Sequence, residues 1–466
     1  MKTIALHIVI FISLFPLFGM AQKMAQRPNV ILIVSDDGGY QDFGCYGGTE
    51  IPTPNIDLLA KNGIRFTQAY VTASVCAPSR AGMITGKYQQ RFGFEHNPSN
   101  LLAKGFTKED VGIDLSVKTM ADQFKANGYA TIAIGKWHLG AEEKYHPQNR
   151  GFDHFYGFLG GHRDYFGYKK TPGKEVVLWD DGKAVPEDQV TYTTEMFTSR
   201  ARDYVRANKN QPFFMYLSYN AIHTPMQGLD SLEKEFSFIK DKDRRAFAAM
   251  MKCMDTGIGR LMDELKKQGI YNNTLVFFIN DNGAATNNAA DNGFLRGLKG
   301  SKFEGGIRVP FIMQWPGKIT AGTTYNKMVS SLDILPTALA AINGRSIKNQ
   351  VLDGKNLLYY ISNKNKKPHQ DLFWRRGIAA AVHSGKWKLI RSGSNPVLLF
   401  DLDNDVKESV NLAARYPKVV KTLLAKLENW EKGLEQPRWT SSYGDTNQLM
   451  KHRMEVTGRE MERQYP

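Results

Sequence analysis

Two pairs of oxygen ligands stand where chemistry is most economical. Asp36-Asp37 and Asp281-Asn282 each follow a short run of apolar, β-branched and aromatic residues, 30–34 and 275–279. Adjacent carboxylates at the end of a buried strand are costly to desolvate unless a cation or a basic side chain neutralises them. Four Asp and Asn side chains suit a hard divalent ion, Ca²⁺ or Mg²⁺, better than zinc. Asp-Asp-Gly and Asp-Asn-Gly are also ordinary turn sequences. It is their joint placement at two strand ends that points to a metal.

A third element is Cys76, within Ser74-Val75-Cys76-Ala77-Pro78-Ser79-Arg80 and followed by Ala81-Gly82-Met83-Ile84-Thr85-Gly86. This reads as a helix with Pro78 in its first turn. A thiol at a helix amino end beside Arg80 is acidified. Cys45 and Cys253 lack such surroundings and read as packing residues, and three Cys in all build no disulfide framework.

These groups need a scaffold, and the apolar runs 30–34, 130–134, 213–219, 275–279 and 309–313 read as buried strands. Helical patterns lie between them, around Met120 and Phe124 and from Phe247 to Leu265. Alternating strand and helix implies a mostly parallel sheet covered on both faces. The strands run into Ser35-Asp36-Asp37-Gly38, Gly135-Lys136-Trp137-His138, Asn220 with His223, and Asn280-Asp281-Asn282-Gly283. Polar groups therefore gather at carboxyl ends, where an open α/β sheet has its crevice. After residue 363 the texture changes to short strand-like pieces and a helix opened by Pro417, with Val420, Leu423, Leu424, Leu427, Trp430 and Leu434 on one face. The expected organisation is a catalytic α/β domain over 22–363, a smaller α+β domain over 364–440 and a polar tail over 441–466.

The chain of 466 residues, 42% hydrophobic and 23% charged, is large enough for a substantial core, which excludes disorder for most of it. Residues 1–21, with Lys2, an apolar run and Gly19-Met20-Ala21, read as a removed signal peptide, so the product is expected to be exported, periplasmic or secreted. No later segment reads as a membrane span. Loss of Lys2 takes the net charge from +15 to +14. On an exported protein that favours acidic carbohydrate over nucleic acid as partner.

The segment Cys-x-Pro-Ser-Arg closely resembles the signature of the type I, formylglycine-dependent sulfatase family, and the resemblance continues in order along the chain. Val30 to Asp37, Pro54-Asn55-Ile56-Asp57, Gly135-Lys136-Trp137-His138-Leu139-Gly140, His223-Thr224-Pro225, Asp281-Asn282-Gly283, Gly297-Leu298-Lys299-Gly300 and Glu304 to Pro310 look like its further motifs. The resemblance implies an alkaline-phosphatase-like sandwich with a smaller carboxyl-terminal domain. It implies that a maturation enzyme converts Cys76 to formylglycine (3-oxoalanine). It further implies one Ca²⁺ held by Asp36, Asp37, residue 76, Asp281 and Asn282.

By the same analogy a hydrated aldehyde at position 76 attacks sulfur with Asp281 as base. Lys136 and Lys299 hold sulfate oxygens, and Arg80 orients the nucleophile. His223, with Lys299, protonates the leaving oxygen, and His138 takes the proton that releases sulfate. The segment Gly157 to Phe166 resembles the corresponding loop of N-acetylgalactosamine-sulfatases and related polysaccharide sulfatases, which implies a sulfated oligo- or polysaccharide substrate. His96, Asn97, His162, Arg163, Asp164 and Arg376 are the candidate sugar contacts, with Glu95, Trp374 and Arg375 beside them. A phosphomonoesterase or phosphodiesterase on the same fold, and a catalytically silent glycan-binding protein, are the alternatives.

Overall fold

The computed structural model describes residues 27–167, 176–347, 351–363 and 365–441. The expected signal peptide and all of the polar tail beyond Ser441 lie outside the described residues. A ten-stranded sheet forms the centre, in the order Thr323–Tyr325, Ile64–Phe66, Phe311–Gln314, Thr274–Asn280, Asn29–Ser35, Phe213–Ser218, Ala130–Lys136, His154–Phe158, Trp179–Asp180, Lys183–Ala184. Its five middle strands, from Thr274–Asn280 to His154–Phe158, are parallel, and antiparallel strands flank them on either side. This is the expected mostly parallel α/β sandwich.

The middle strands are apolar throughout because both faces are covered. In Asn29–Ser35, Ile31 and Ile33 join one core with Phe197 of helix Thr193–Asn208 and with Phe247 and Met250 of helix Lys242–Lys267. Val30, Leu32 and Val34 point the other way, into a core with Met83 of helix Cys76–Thr85, Phe124 of helix Met120–Ala126 and Leu335 of helix Ile334–Ala341. No helix among the described residues is long and apolar enough to cross a membrane.

The run read as a strand over 309–313 begins at Phe311 instead and pairs antiparallel with Thr274–Asn280. Pro310 has no N–H to give a ladder, and its carbonyl instead accepts from the Asn280 amide at 3.3 Å.

Four antiparallel strands, Asp371–Arg376, Ala379–Ser384, Trp387–Ser392 and Leu398–Asp401, form a second sheet. One face packs Val382, Leu389 and Leu399 against Leu423, Leu427 and Trp430 of helix Pro417–Glu431. Leu434, expected on that helix, lies past its end but packs on the same cluster. The other face packs Trp374, Ala381 and Ile390 against Tyr70, Phe303 and Ile307 of the larger unit.

Two further connections join this small sheet to the large unit. Buried Lys388 lies 2.9 Å from both Glu304 and Glu408, and the Glu408 carbonyl accepts from Arg296 at 2.6 Å. Past the helix, residues 435–440 return to run along residues 90–103, with backbone bonds Arg438 to Gly93, Ala103 to Arg438 and Thr440 to Leu101. Trp439 is buried there and donates from Nε1 to the carbonyls of His96 and Asn97 at 3.0 and 2.9 Å.

Candidate active site

Strand register brings the two oxygen-ligand pairs together. Ser35 and Asn280 are direct partners in adjacent parallel strands, so Asp36-Asp37 and Asp281-Asn282 leave the sheet side by side at its carboxyl edge. Asn280 fastens the step, accepting from the Ser35 hydroxyl at 2.7 Å and the Gly38 amide at 3.2 Å. Asp37 then takes a left-handed backbone, φ 63°, which a non-glycine residue holds only when its surroundings impose it.

Three cations face the three carboxylates. Lys136, ending strand Ala130–Lys136, lies 2.5 Å from Asp36 Oδ2. Lys299 lies 2.7 Å from both oxygens of Asp37. Arg80, on the Cys76 helix, grips Asp281 Oδ2 through Nε at 2.9 Å and its terminal nitrogen at 2.8 Å, and also bonds Ser218 Oγ. The backbone of Lys299 is fixed from both sides, its own amide donating to Ala284 and that of Gly300 to Ser74 at 2.7 Å.

Cys76 is buried in the first turn of helix Cys76–Thr85. Ligand atoms of Asp36, Asp37, Cys76 and His223 all lie within 4.8 Å of one another. Burial opposes ionisation of this thiol, but Lys136 and Lys299 outweigh it and bring it down to about 7. Cys45 and Cys253 show the contrast. Burial above all pushes both thiols up, Cys253 to about 12.

The donor set fits a hard cation. Asp36 Oδ1 and Asn282 Oδ1 are buried without a hydrogen-bond partner, which is costly unless something positive meets them. Asp281 enters differently from the other carboxylates, since Arg80 occupies Oδ2 while Oδ1 accepts from the Asp37 amide at 3.3 Å. Burial and then the Asp36 charge push it up to about 6.

The two histidines are driven apart. His138, also left-handed at φ 61°, is pushed well below the usual imidazole range by burial and by Lys136, and its Nδ1 has no partner. Gly161 is packed so closely that a Cβ there would sit 2.7 Å from the His138 ring. His223 lies 3.4 Å from Asp37 Oδ2 through Nε2, and that carboxylate raises its pKa against the opposing effect of burial. Its Nδ1 faces the Thr224 carbonyl at 2.7 Å, and since a carbonyl only accepts, Nδ1 carries a proton.

The candidate sugar contacts divide. Asn97 Oδ1 accepts from the Ala77 amide at 3.1 Å, next to Cys76, and His162 stacks on His223 with ring centroids 6.1 Å apart. His96 is buried beneath Trp439, and Arg376 is buried opposite Ala379 at the end of its strand. Arg163 is committed to its own loop, with its guanidinium on Asp164 O, Val176 O and Glu187, so it serves the loop instead of presenting itself to a ligand. Asp164 binds Gln227 at 2.9 Å. Glu95 is buried against Arg375, and Trp374 is a core residue bonded to Val71 O.

Sequence reasoning missed the buried amides behind the site. Asn288 donates to the carbonyls of Asp37 and Ile222, and Asn292 accepts from Tyr40 and Ala284 while donating to Gly297 and Gly305. Only the density of Asn in residues 287–292 hints at them.

Comparison with known proteins places the chain in a family. The Sulfatase family profile matches residues 28–344, and the profile described as N-sulphoglucosamine sulphohydrolase, C-terminal, matches 299–433. Arylsulfatase A of Homo sapiens is 33% identical over 455 residues, covering 86% of this chain and 87% of that protein. N-acetylgalactosamine-6-sulfatase of Homo sapiens is 32% identical over 354 residues, covering 72% and 66%. A solved structure of Ps i-CgsB in complex with k-i-k-neocarrahexaose is 36% identical with a TM-score of 0.83, covering 95% of this chain and 100% of that one. Together, the paired strand ends, the buried Cys76 helix and these matches make the chain a member of the sulfatase family, a sulfuric ester hydrolase.

Proposed function

We propose that this protein is an exported sulfatase that hydrolyses sulfate monoesters of a sulfated oligo- or polysaccharide, with Cys76 matured to formylglycine and one Ca²⁺ bound. The observation that carries this reading is the Cys76 side chain shut in at a helix amino end, within 4.8 Å of ligand atoms of Asp36, Asp37 and His223 and ringed by Lys136, Lys299 and Arg80. Asp36, Asp37, Asp281 and Asn282, with residue 76, would hold the ion. Bound ion and converted residue supply, between them, charge neutralisation for the sulfuryl group and a hydrated aldehyde as nucleophile.

The chain's own residues do the rest. Lys136 and Lys299 present ammonium groups to the non-bridging oxygens. Arg80 fixes Asp281, which accepts the proton of the attacking hydroxyl. His223 donates from Nε2 to the departing sugar oxygen, and His138, with an open ring nitrogen, accepts the proton whose removal expels sulfate. Asn97 and His162 border the entrance for the sugar. A carbohydrate substrate is supported by the net charge of +15, by the ligand of the 36%-identical structure, and by the N-acetylgalactosamine-6-sulfatase match.

The test has two parts. Protein from a maturation-competent host is expected to yield a residue-76 peptide about 18 Da lighter than the Cys form, replacing sulfur chemistry with an aldehyde. It is also expected to release sulfate from defined sulfated oligosaccharides and to prefer an aryl sulfate to the matching aryl phosphate. Full activity with unmodified Cys76, or a preference for the phosphate, overturns the proposal.

A further inference from the structure

His223 and Asp37 belong to different strand ends, yet the proton donor works only if its ring keeps a fixed distance from the site that binds the sulfuryl group. The turn carrying His223 is joined to the Asp36-Asp37 step by backbone bonds from Asp36 N to Ala221 O at 2.8 Å and from Ile222 N to Asp36 O at 2.7 Å. Tyr165 supports the turn from the opposite side, its hydroxyl lying 2.6 Å from Asn220 O and 2.8 Å from His223 O.

One side chain spans the join directly. The fully buried Asn288 amide donates one hydrogen to Asp37 O at 2.9 Å and the other to Ile222 O at 2.9 Å, while its own oxygen accepts from Ala290 N at 3.2 Å. Each carbonyl belongs to a residue whose neighbour or own side chain does the chemistry. Asp37 is the left-handed residue whose carboxylate meets Lys299 and His223, and Ile222 immediately precedes His223. A planar NH₂ group holding two carbonyls at equal length acts as a spacer, because neither peptide can rotate without losing a bond that water cannot replace in a buried site.

We infer that Asn288 is a positioning residue that sets the proton donor His223 against Asp37, and so governs protonation of the leaving oxygen. This rests on the proposed role of His223. Displacement of about 1 Å from a productive geometry costs on the order of 10²-fold in rate. The cost should therefore fall on substrates whose leaving group needs a proton and spare those whose leaving group departs as a stable anion.

The experiment uses matured, Ca²⁺-loaded enzyme and a series of sulfate esters running from 4-nitrophenyl sulfate through poorer phenol leaving groups to a sulfated sugar. In Asn288→Ala, kcat/KM is expected to fall by about 3-fold or less for the nitrophenyl ester and by about 30–100-fold for the sugar ester, mainly in kcat. Asn288→Ser, which keeps one donor, should fall between, and it serves as the folded reference should the Ala variant not accumulate. The shift of unfolding temperature on adding Ca²⁺ is expected to match wild type in both. His223→Ala is run in parallel. A steep leaving-group dependence in His223→Ala beside a flat one in the Asn288 variants refutes this inference alone. A flat dependence in His223→Ala refutes the role of His223 and the inference with it. Loss of the Ca²⁺-induced shift places the effect of Asn288 on the ion site and also overturns the inference.

Discussion

Replacing Lys299 by Ala tests the charge balance of the site most directly. Three buried carboxylates, Asp36, Asp37 and Asp281, face three cations, Lys136, Lys299 and Arg80, so without an ion the cluster is close to neutral. Lys299→Ala leaves Asp37 with a charge that His223 at 3.4 Å meets only when protonated. Breaking a buried pair costs about 3–5 kcal/mol, and the low end applies because the Lys299 side chain keeps 17% of its exposure. An unfolding entropy of about 2.1 cal/mol/K per residue over 466 residues gives about 1 kcal/mol/K, so 3 kcal/mol lowers the melting temperature by about 3 °C. In chelator, the variant should melt that far below wild type. In millimolar Ca²⁺ the gap should narrow to about 1.6 °C, because a divalent ion supplies the missing positive charge and binds about tenfold more tightly, worth about 1.4 kcal/mol, once the ammonium no longer competes for Asp37. Sulfatase activity should stay lost. An equal gap with and without Ca²⁺, or weaker Ca²⁺ binding by the variant, refutes the reasoning.

Two further outcomes are expected. Burial, opposed by Lys388 and reinforced by Glu304, pushes Glu408 up to about 7 from an ordinary 4.5, so the folded state keeps a proton that the unfolded chain has lost. That contribution is full below pH 4.5 and is lost as pH rises through 7. Glu408→Gln should therefore lose less stability than wild type between pH 5 and pH 8, by on the order of 2–3 kcal/mol, and denaturant curves of equal pH dependence would contradict this. Trp439→Phe keeps an aromatic ring against Phe94 but deletes the donor to His96 and Asn97. It should cost about 1 kcal/mol of stability and raise KM for a sulfated sugar with kcat little changed, while an unaltered KM would separate the 93–103 segment from substrate binding.

The central strands were legible because burial on both faces makes them uninterrupted apolar runs, and the residues after them were legible because charge at such a place needs an explanation. Two oxygen-ligand pairs 245 positions apart meet only through the register of Ser35 with Asn280, which alternation and strand count imply but do not fix. What stayed hidden depends on side-chain direction. Arg163 has the composition of a sugar contact, yet Glu187 and two carbonyls turn its guanidinium inward. Asn288 and Asn292 have the composition of a solvated turn, and only the packing of residues 284–305 over the sheet edge encloses them and makes every one of their bonds count. The end of the chain was equally silent, because Trp439 finds its carbonyl partners some 340 residues back.

If Cys76 is matured as proposed, its burial imposes an order of events. Its thiol emerges before its walls: Lys136 follows, then His223, then Lys299, and finally the Trp439 segment that secures the loop bearing Asn97. With Cys76 at 1% exposure in the folded molecule, the proposed modifying enzyme would not reach it there. On the proposed conversion to formylglycine, access would belong to the nascent or unfolded chain, and folding itself would close the time allowed for it.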